Sequence, residues 1–220
     1  MSPTVKTTLT KTLILVFFAL TAFFVLPGGV SAAENKVGDF TVTGDSSGYA
    51  YDVDTKTLTV KTDTALTIKN TDSTTSTADK IVVMSGVTAN ITLDGVKIDV
   101  SSDENSCAFA VKSGTVLNLT LAAGSDNNLK SGIYCAGLNV PDGASLTIDS
   151  DSADPGSLTA QCTVTHSSPR GAGIGGGEGE NCGKITINGG SVTAFSCDGS
   201  DEKMLLEPAL AAVLMELAEK

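Results

Sequence analysis

Val111–Leu121 (VKSGTVLNLTL) opens on a valine, turns at Gly114, then alternates apolar Leu117 and Leu119 with polar Asn118 and Thr120. The same phrase stands upstream at Val83–Leu93 (VMSGVTANITL) and downstream at Val140–Ser150 (VPDGASLTIDS). Gly86, Gly114 and Gly143 are therefore 28 and 29 residues apart. Three and five residues past each glycine the side chains are apolar: Ala89 and Ile91, Leu117 and Leu119, Leu146 and Ile148. A fixed period of this length marks one supersecondary unit per repeat. A second register aligns Ile91–Ile98 (ITLDGVKI) with Ile185–Val192 (ITINGGSV).

Around these phrases the chain reads as short strands. Thr57–Thr62, Ala65–Asn70, Lys80–Met84 and Val116–Leu121 are rich in β-branched and aliphatic residues. Most alternate apolar with Thr, Lys or Asn, as successive strand side chains point to opposite faces. Gly, Asp, Asn and Ser cluster between the runs, where turns require them. The fold class expected is all-β, a right-handed parallel β-helix in which each strand pairs with its counterpart one repeat away. Ile91, Leu93, Leu117, Leu119, Leu121, Leu146, Ile148, Ile185 and Ile187 would stack inward as aliphatic rows. A Greek-key sandwich shows the same alternation strand by strand, but has no reason to repeat its glycine offsets. Residues 33–79 fit the repeat poorly and read as an N-terminal β region or cap; the repeats proper span 80–200.

The start and the charge set the compartment. Met1–Lys11 is basic and threonine-rich, and Thr12–Leu26 is an apolar run ended by Pro27-Gly28-Gly29. Val30-Ser31-Ala32 supplies small residues for cleavage, so residues 1–32 read as a signal peptide and the chain as secreted or cell-surface. The run is short of the ~20 residues that a span needs, so no membrane span is expected after cleavage. The chain carries −11; Lys6 and Lys11 lie in the leader, so its removal leaves −13. Such a balance excludes nucleic-acid binding through net positive charge.

Gly171–Gly177 (GAGIGGG) followed by Lys184–Gly190 (KITINGG) carries a resemblance. Over Ile81–Ala194 the chain resembles bacterial secreted or cell-surface repeat proteins built from GAGIGGG…ITINGG units, described as carbohydrate-binding-domain-containing proteins. The resemblance implies a β-helical extracellular module that binds glycans, and it assigns no catalytic residue.

The remaining motifs point to no chemistry of their own. Gly171–Gly176 also fits the dinucleotide fingerprint, but that mechanism needs a buried strand before it and a helix after it. Thr165–Arg170 and Gly177–Gly183 supply neither, so close packing explains the glycines and no cofactor is expected. Asp149, Asp151 and Asp154 share a loop without calcium-loop spacing, and read as a solvated turn. Five cysteines, Cys107, Cys135, Cys162, Cys182 and Cys197, leave at least one without an intramolecular partner. Without C-x-x-C, zinc is not expected. Cys107 and Cys135 sit seven and eight residues before Gly114 and Gly143. They are within reach of a cross-link if they stack, yet fit as buried small apolar side chains, the reading preferred.

A polysaccharide lyase or hydrolase of the β-helix type is the catalytic alternative. His166 and Arg170 are the only residues of their kinds, and they sit together in a Ser/Pro/Gly loop read as an exposed turn. The expectation is a non-catalytic glycan-binding or adhesive module, with a purely structural stalk as the rival. Tyr49 and Tyr51 would share a strand face, more in keeping with cross-strand packing than a sugar platform. No catalytic, cofactor-binding or metal residue is assigned, and the ligand residues are left open. The partner expected is extracellular or cell-wall polysaccharide.

Met204–Lys220 (MLLEPALAAVLMELAEK) breaks the pattern. Residues 201–220 read as a helical tail, with Leu206, Leu210, Val213 and Leu217 on one face, fit to cap the open end. The preferred alternative is a frameshifted repeat. One set of codons for Lys203–Val213, read one frame over, yields N-A-A-G-A-G-I-G-G-G, the motif of Gly171–Gly177. The last unit would then be left uncapped, with self-association expected at its open end.

Overall fold

A computed structural model describes residues 33–151, 153–163 and 171–196, with the backbone of 204–206. The leader, His166, Arg170, Cys197 and residues 207–220 lie outside the described residues. The chain is all-β, and most of its pairing is parallel. Five strands come first: β1 (Glu34–Val37), β2 (Phe40–Gly44), β3 (Tyr49–Asp52), β4 (Thr57–Val60) and β5 (Ala65–Asn70), of which β4 and β5 each have one antiparallel and one parallel neighbour. Three-strand units then succeed one another. They are β6 (Lys80–Val83), β7 (Thr88–Leu93) and β8 (Lys97–Asp99), then β9 (Phe109–Val111), β10 (Val116–Leu121) and β11 (Asp126–Ser131). Two more follow: β12 (Leu138–Asn139), β13 (Ser145–Ser150) and β14 (Ser157–Cys162), then β15 (Ile174–Gly175), β16 (Lys184–Ile187) and β17 (Ser191–Phe195). β18 (Met204–Leu206) is last.

Each strand of a unit pairs with the strand three places on, which builds three sheets. Their orders are β1-β2-β5-β7-β10-β13-β16, β15-β12-β9-β6-β4-β3 and β18-β17-β14-β11-β8. Antiparallel pairs occur only at the ends of these sheets among named strands: β1 with β2, β2 with β5, β3 with β4, and β17 with β18. The parallel ladders exclude the Greek-key sandwich, whose sheets are antiparallel. Parallel pairing also begins before Lys80, since Thr57–Val60 lies against Lys80–Val83 and Ala65–Ile68 against Asn90–Leu93. Among the described residues no helix is long and apolar enough to cross a membrane.

The repeated phrases stack in register. Leu117 lies between Ala89 and Leu146, and Leu119 between Ile91 and Ile148. All of these are at most 1% exposed. Gly86, Gly114 and Gly143 hold φ near +80° at the corner before each strand, a conformation that L side chains avoid. The second register needs correction. Ile185 stacks on Leu146 and Ile187 on Ile148, so Ile187, not Ile185, continues the row of Ile91. The slip is two residues, so the face is kept. The shared Asx-Gly turn follows a strand of six residues at Thr88–Leu93 but of four at Lys184–Ile187. The corners that follow, Asp94–Val96 and Asn188–Gly190, are equally long, so the shift carries through and Ala194, not Val192, continues the row of Ile98, whereas the corner Ala122–Ser125 between them in the stack is longer.

Buried polar side chains close these uneven corners. Asn127, fully buried, accepts from the Val96 N–H at 2.8 Å and donates to the Ser157 carbonyl at 3.0 Å, linking three units. Asn70 likewise accepts from the Lys97 N–H at 3.1 Å and donates to the Lys97 carbonyl at 2.9 Å. Each supplies partners that buried backbone groups need where the ladder is interrupted.

The tail departs from its helical reading where it is described. Met204–Leu206 is extended and pairs antiparallel with Val192–Ala194. Helix propensity is a weak prior, and the unpaired edge of β17 offers this segment backbone partners that an isolated short helix lacks.

Candidate functional site

The six-stranded sheet narrows at its last members, β9, β12 and β15, and the turns leading into them border a groove. Gly132 begins one such turn. A side chain there would collide with the Asp103 carbonyl and the Glu104 backbone, so the turn at 132–135 seats directly on that at 103–106. The Gly132 N–H donates to the Ser106 carbonyl at 2.9 Å and the Tyr134 N–H to the Glu104 carbonyl at 3.0 Å. The lower turn is itself tied: the Ser106 hydroxyl donates to Asp103 at 2.6 Å, which holds that carboxyl below its usual pKa range.

This seating joins Cys107 and Cys135 in a disulfide, which corrects the preferred reading of them as unbonded apolar residues. Phe109 stands beside Leu138 in the parallel ladder, so the residues just before them are brought alongside. Their Cα atoms are 5.2 Å apart, inside the span a disulfide bridges. Cys162 is disulfide-bonded as well, and Cys182 is free and exposed. Although Cys182 as a whole is exposed, partial burial of its sulfur raises the thiol pKa and dampens its reactivity.

A strap formed by Gly177–Gly183 crosses the outer side of β12. The Glu178 N–H donates to the Tyr134 carbonyl at 2.9 Å, and Asp142 N–H to the Asn181 carbonyl at 2.9 Å. Cys182 forms an antiparallel bridge with Pro141. Glu180 turns back under the strap, where one carboxylate oxygen accepts from Asn139 Nδ2 at 3.0 Å and from the Gly177 N–H at 3.1 Å. The result is a groove of about 210 Å³ lined by the disulfide, Lys112, Tyr134, Asn139, Glu178 and Glu180. It combines an ammonium donor, carboxylate acceptors and one aromatic side chain, a set suited to hydroxyl-rich ligands.

The glycines of Gly171–Gly177 serve close approach. A Cβ on Gly171 would meet the Cys135 carbonyl, one on Gly173 the Phe195 N–H, and one on Gly176 the Glu180 carbonyl. The short strand Ile174–Gly175 runs on into the strap and not into a helix, so the dinucleotide geometry is not assembled. In the acidic loop, Asp149 accepts from the Ser150 N–H at 2.8 Å and Asp151 from the Ala153 N–H at 2.8 Å. Among the described residues no three His, Cys, Asp or Glu side chains converge as a metal site. Tyr49 is packed into the core, and the Tyr51 hydroxyl donates to Asp79 at 2.7 Å. Of the aromatic residues, Tyr134 is the one that lines the groove.

A second hollow of about 230 Å³ lies at the other end, lined by Lys36, Asp39, Asn70, Asp72 and a threonine-rich turn. Its polar groups are largely spent on one another: Asp39 accepts from the Thr77 hydroxyl at 2.8 Å and Asp72 from the Thr74 hydroxyl at 2.6 Å.

Lys112, Asn139, Glu178 and Glu180 were not distinguishable as site residues in the sequence, where Gly177–Gly183 stands out only as lacking the helix of a dinucleotide site. The single available signal was the pair of glutamates enclosed by glycines, Glu178-Gly179-Glu180. Comparison of the chain with protein-family models, with curated proteins and with solved structures finds no match.

Proposed function

We propose that this chain is an exported, non-catalytic glycan-binding module, a right-handed parallel β-helix whose three sheets are the faces of a solenoid. Support for the architecture comes from the three-strand units paired in parallel, since parallel crossovers in one sheet are right-handed almost without exception. Support for export comes from the leader-like residues 1–32 and from the Cys107–Cys135 disulfide, a bond that persists in oxidising compartments. The resemblance of Ile81–Ala194 to secreted bacterial repeat proteins points the same way.

The observation that carries the binding role is the groove between the disulfide-tied turns and the strap. At about 210 Å³ it is smaller than the ~300–1,000 Å³ of pockets that engulf a ligand. It suits one ring of an extended, cell-wall or extracellular polysaccharide lying along the surface. Tyr134 offers a ring edge or face, and Lys112 and Glu180 offer hydrogen bonds to hydroxyls.

A glycan array followed by calorimetry tests this. Selective, saturable binding is expected, weakened at least ~10-fold in both Tyr134→Ala and Lys112→Ala, the effect of losing roughly 1.4 kcal/mol. A chain with no selective binding is a structural stalk. Release of unsaturated or reducing sugar ends marks the lyase or hydrolase alternative.

A further inference from the structure

We propose that the outer edge of β16, unpaired among the described residues, is a self-complementary interface through which two copies of this chain pair antiparallel about a twofold axis at Thr186. β16 is the last strand of the seven-stranded sheet, and no described residue pairs with its outer edge. The Lys184 N–H donates to the Ala144 carbonyl at 3.0 Å and the Asn188 N–H to the Ile148 carbonyl at 2.8 Å. Backbone groups alternate direction along a strand, so the N–H and C=O of Ile185 and Ile187 face the open side. These are the groups a further strand would satisfy.

The side chains ask for the same completion. Ile185 and Ile187 are partly exposed, whereas Leu146 and Ile148, the residues they stack on, are 1% and 0% exposed. An apolar row that is dry inside the sheet stays wet at its last member.

A second copy fits this edge by symmetry. With Thr186 opposite Thr186 of the second copy, Ile185 falls opposite Ile187 of that copy and exchanges both hydrogen bonds with it. Lys184 falls opposite Asn188, so the one charged residue of the strand meets no like charge. The apolar rows then continue across the axis. The pairing follows a pattern this chain already uses, since its sheet ends pair antiparallel at β1–β2, β3–β4 and β17–β18. A twofold contact of this kind closes, where head-to-tail stacking would grow filaments.

The test uses the compact unit 32–220. Sedimentation is expected to show a concentration-dependent monomer–dimer equilibrium. Ile187→Pro leaves the ladder to β13 intact, because its N–H faces the open edge, and the twofold removes two donors at once. Dimer dissociation is expected to strengthen at least ~10-fold in that variant. In a Cys182→Ser background, Thr186→Cys is expected to oxidise to a disulfide-linked dimer. Thr147→Cys, on the same face but in the interior of the sheet, is expected to remain monomeric under the same oxidation. A chain that stays monomeric at high micromolar concentration, cross-linking at Thr186→Cys no greater than at Thr147→Cys, or assemblies that lengthen with concentration would each overturn the proposal.

Discussion

The first and last members of the sheets are built from similar residues but finished differently. At the first end β2 and β4 are covered by antiparallel neighbours, and Phe40, Val42, Leu58 and Val60 are all 0% exposed. A polar clasp sits beside them. Asp79, 2% exposed, accepts from the Tyr51 hydroxyl at 2.7 Å and the Asp39 N–H at 2.9 Å, while its own N–H donates to Thr77 at 2.9 Å. At the last end Ile174, Ile185 and Ile187 continue the rows of fully buried residues but are only partly covered. An inward side chain in a stacked fold is thus buried half by its own unit and half by the next, as nearest-neighbour stability requires.

The largest expected effect contrasts these ends directly. Phe40→Ala should cost about 3–5 kcal/mol, the range for emptying a sealed aromatic site. Ile187→Ala should cost about 1 kcal/mol, because its side chain gives up less buried area and its surroundings are open. Urea unfolding of the two variants measures both, and similar losses would break the comparison.

The disulfide divides the two ends and is next in size. Cys107 and Cys135 are 28 residues apart, so removing the cross-link by paired Cys→Ala changes should cost about 3.5 kcal/mol through the unfolded state. Hydrogen exchange sharpens the comparison: amides of 103–106 and 132–135 should exchange faster in the paired variant, while those of β4 and β5 should change little. Uniform acceleration along the chain would mean that the sheets open as one unit and that the ends are not separately stable.

Much of this architecture was legible because stacking makes sequence period and spatial register the same thing. Val83, Val111 and Val140 open phrases that do pair, strand on strand, in the order the glycine spacing implied. What stayed hidden depends on corners and chain reversals. The two-residue slip at Ile185 arose because the shared Asx-Gly phrase marks where a strand turns, after six residues at Thr88–Leu93 and after four at Lys184–Ile187, and a shift of two leaves face parity intact and so does not disturb the apolar pattern. The groove was hidden because Glu180 reaches Asn139 only after the strap folds back across β12, a separation of 41 residues with no periodic trace. Tyr134 was just another aromatic until the disulfide and Gly132 placed its turn. Met204–Leu206 read as helix because its residues favour helix and the free edge of β17 is invisible in sequence.

The smallest effect is a pH dependence belonging to the first end alone. Burial, and then the hydrogen bond to Asp79, push the Tyr51 phenol up from its ordinary 10.0 to about 12. The folded state therefore favours the protonated phenol, while the unfolded chain releases that proton near pH 10. Its contribution is fully present below pH 10 and is lost as pH rises through 12. Tyr51→Phe should lower stability by about 1 kcal/mol at neutral pH, the net worth of one hydrogen bond. It should also flatten the fall in thermal midpoint between pH 10 and 12 relative to the parent chain. Ile187→Ala, at the other end, should leave that slope as it is. If both variants flatten it equally, the alkaline transition reports the whole stack and the clasp at Asp79 has no local hold on the first end.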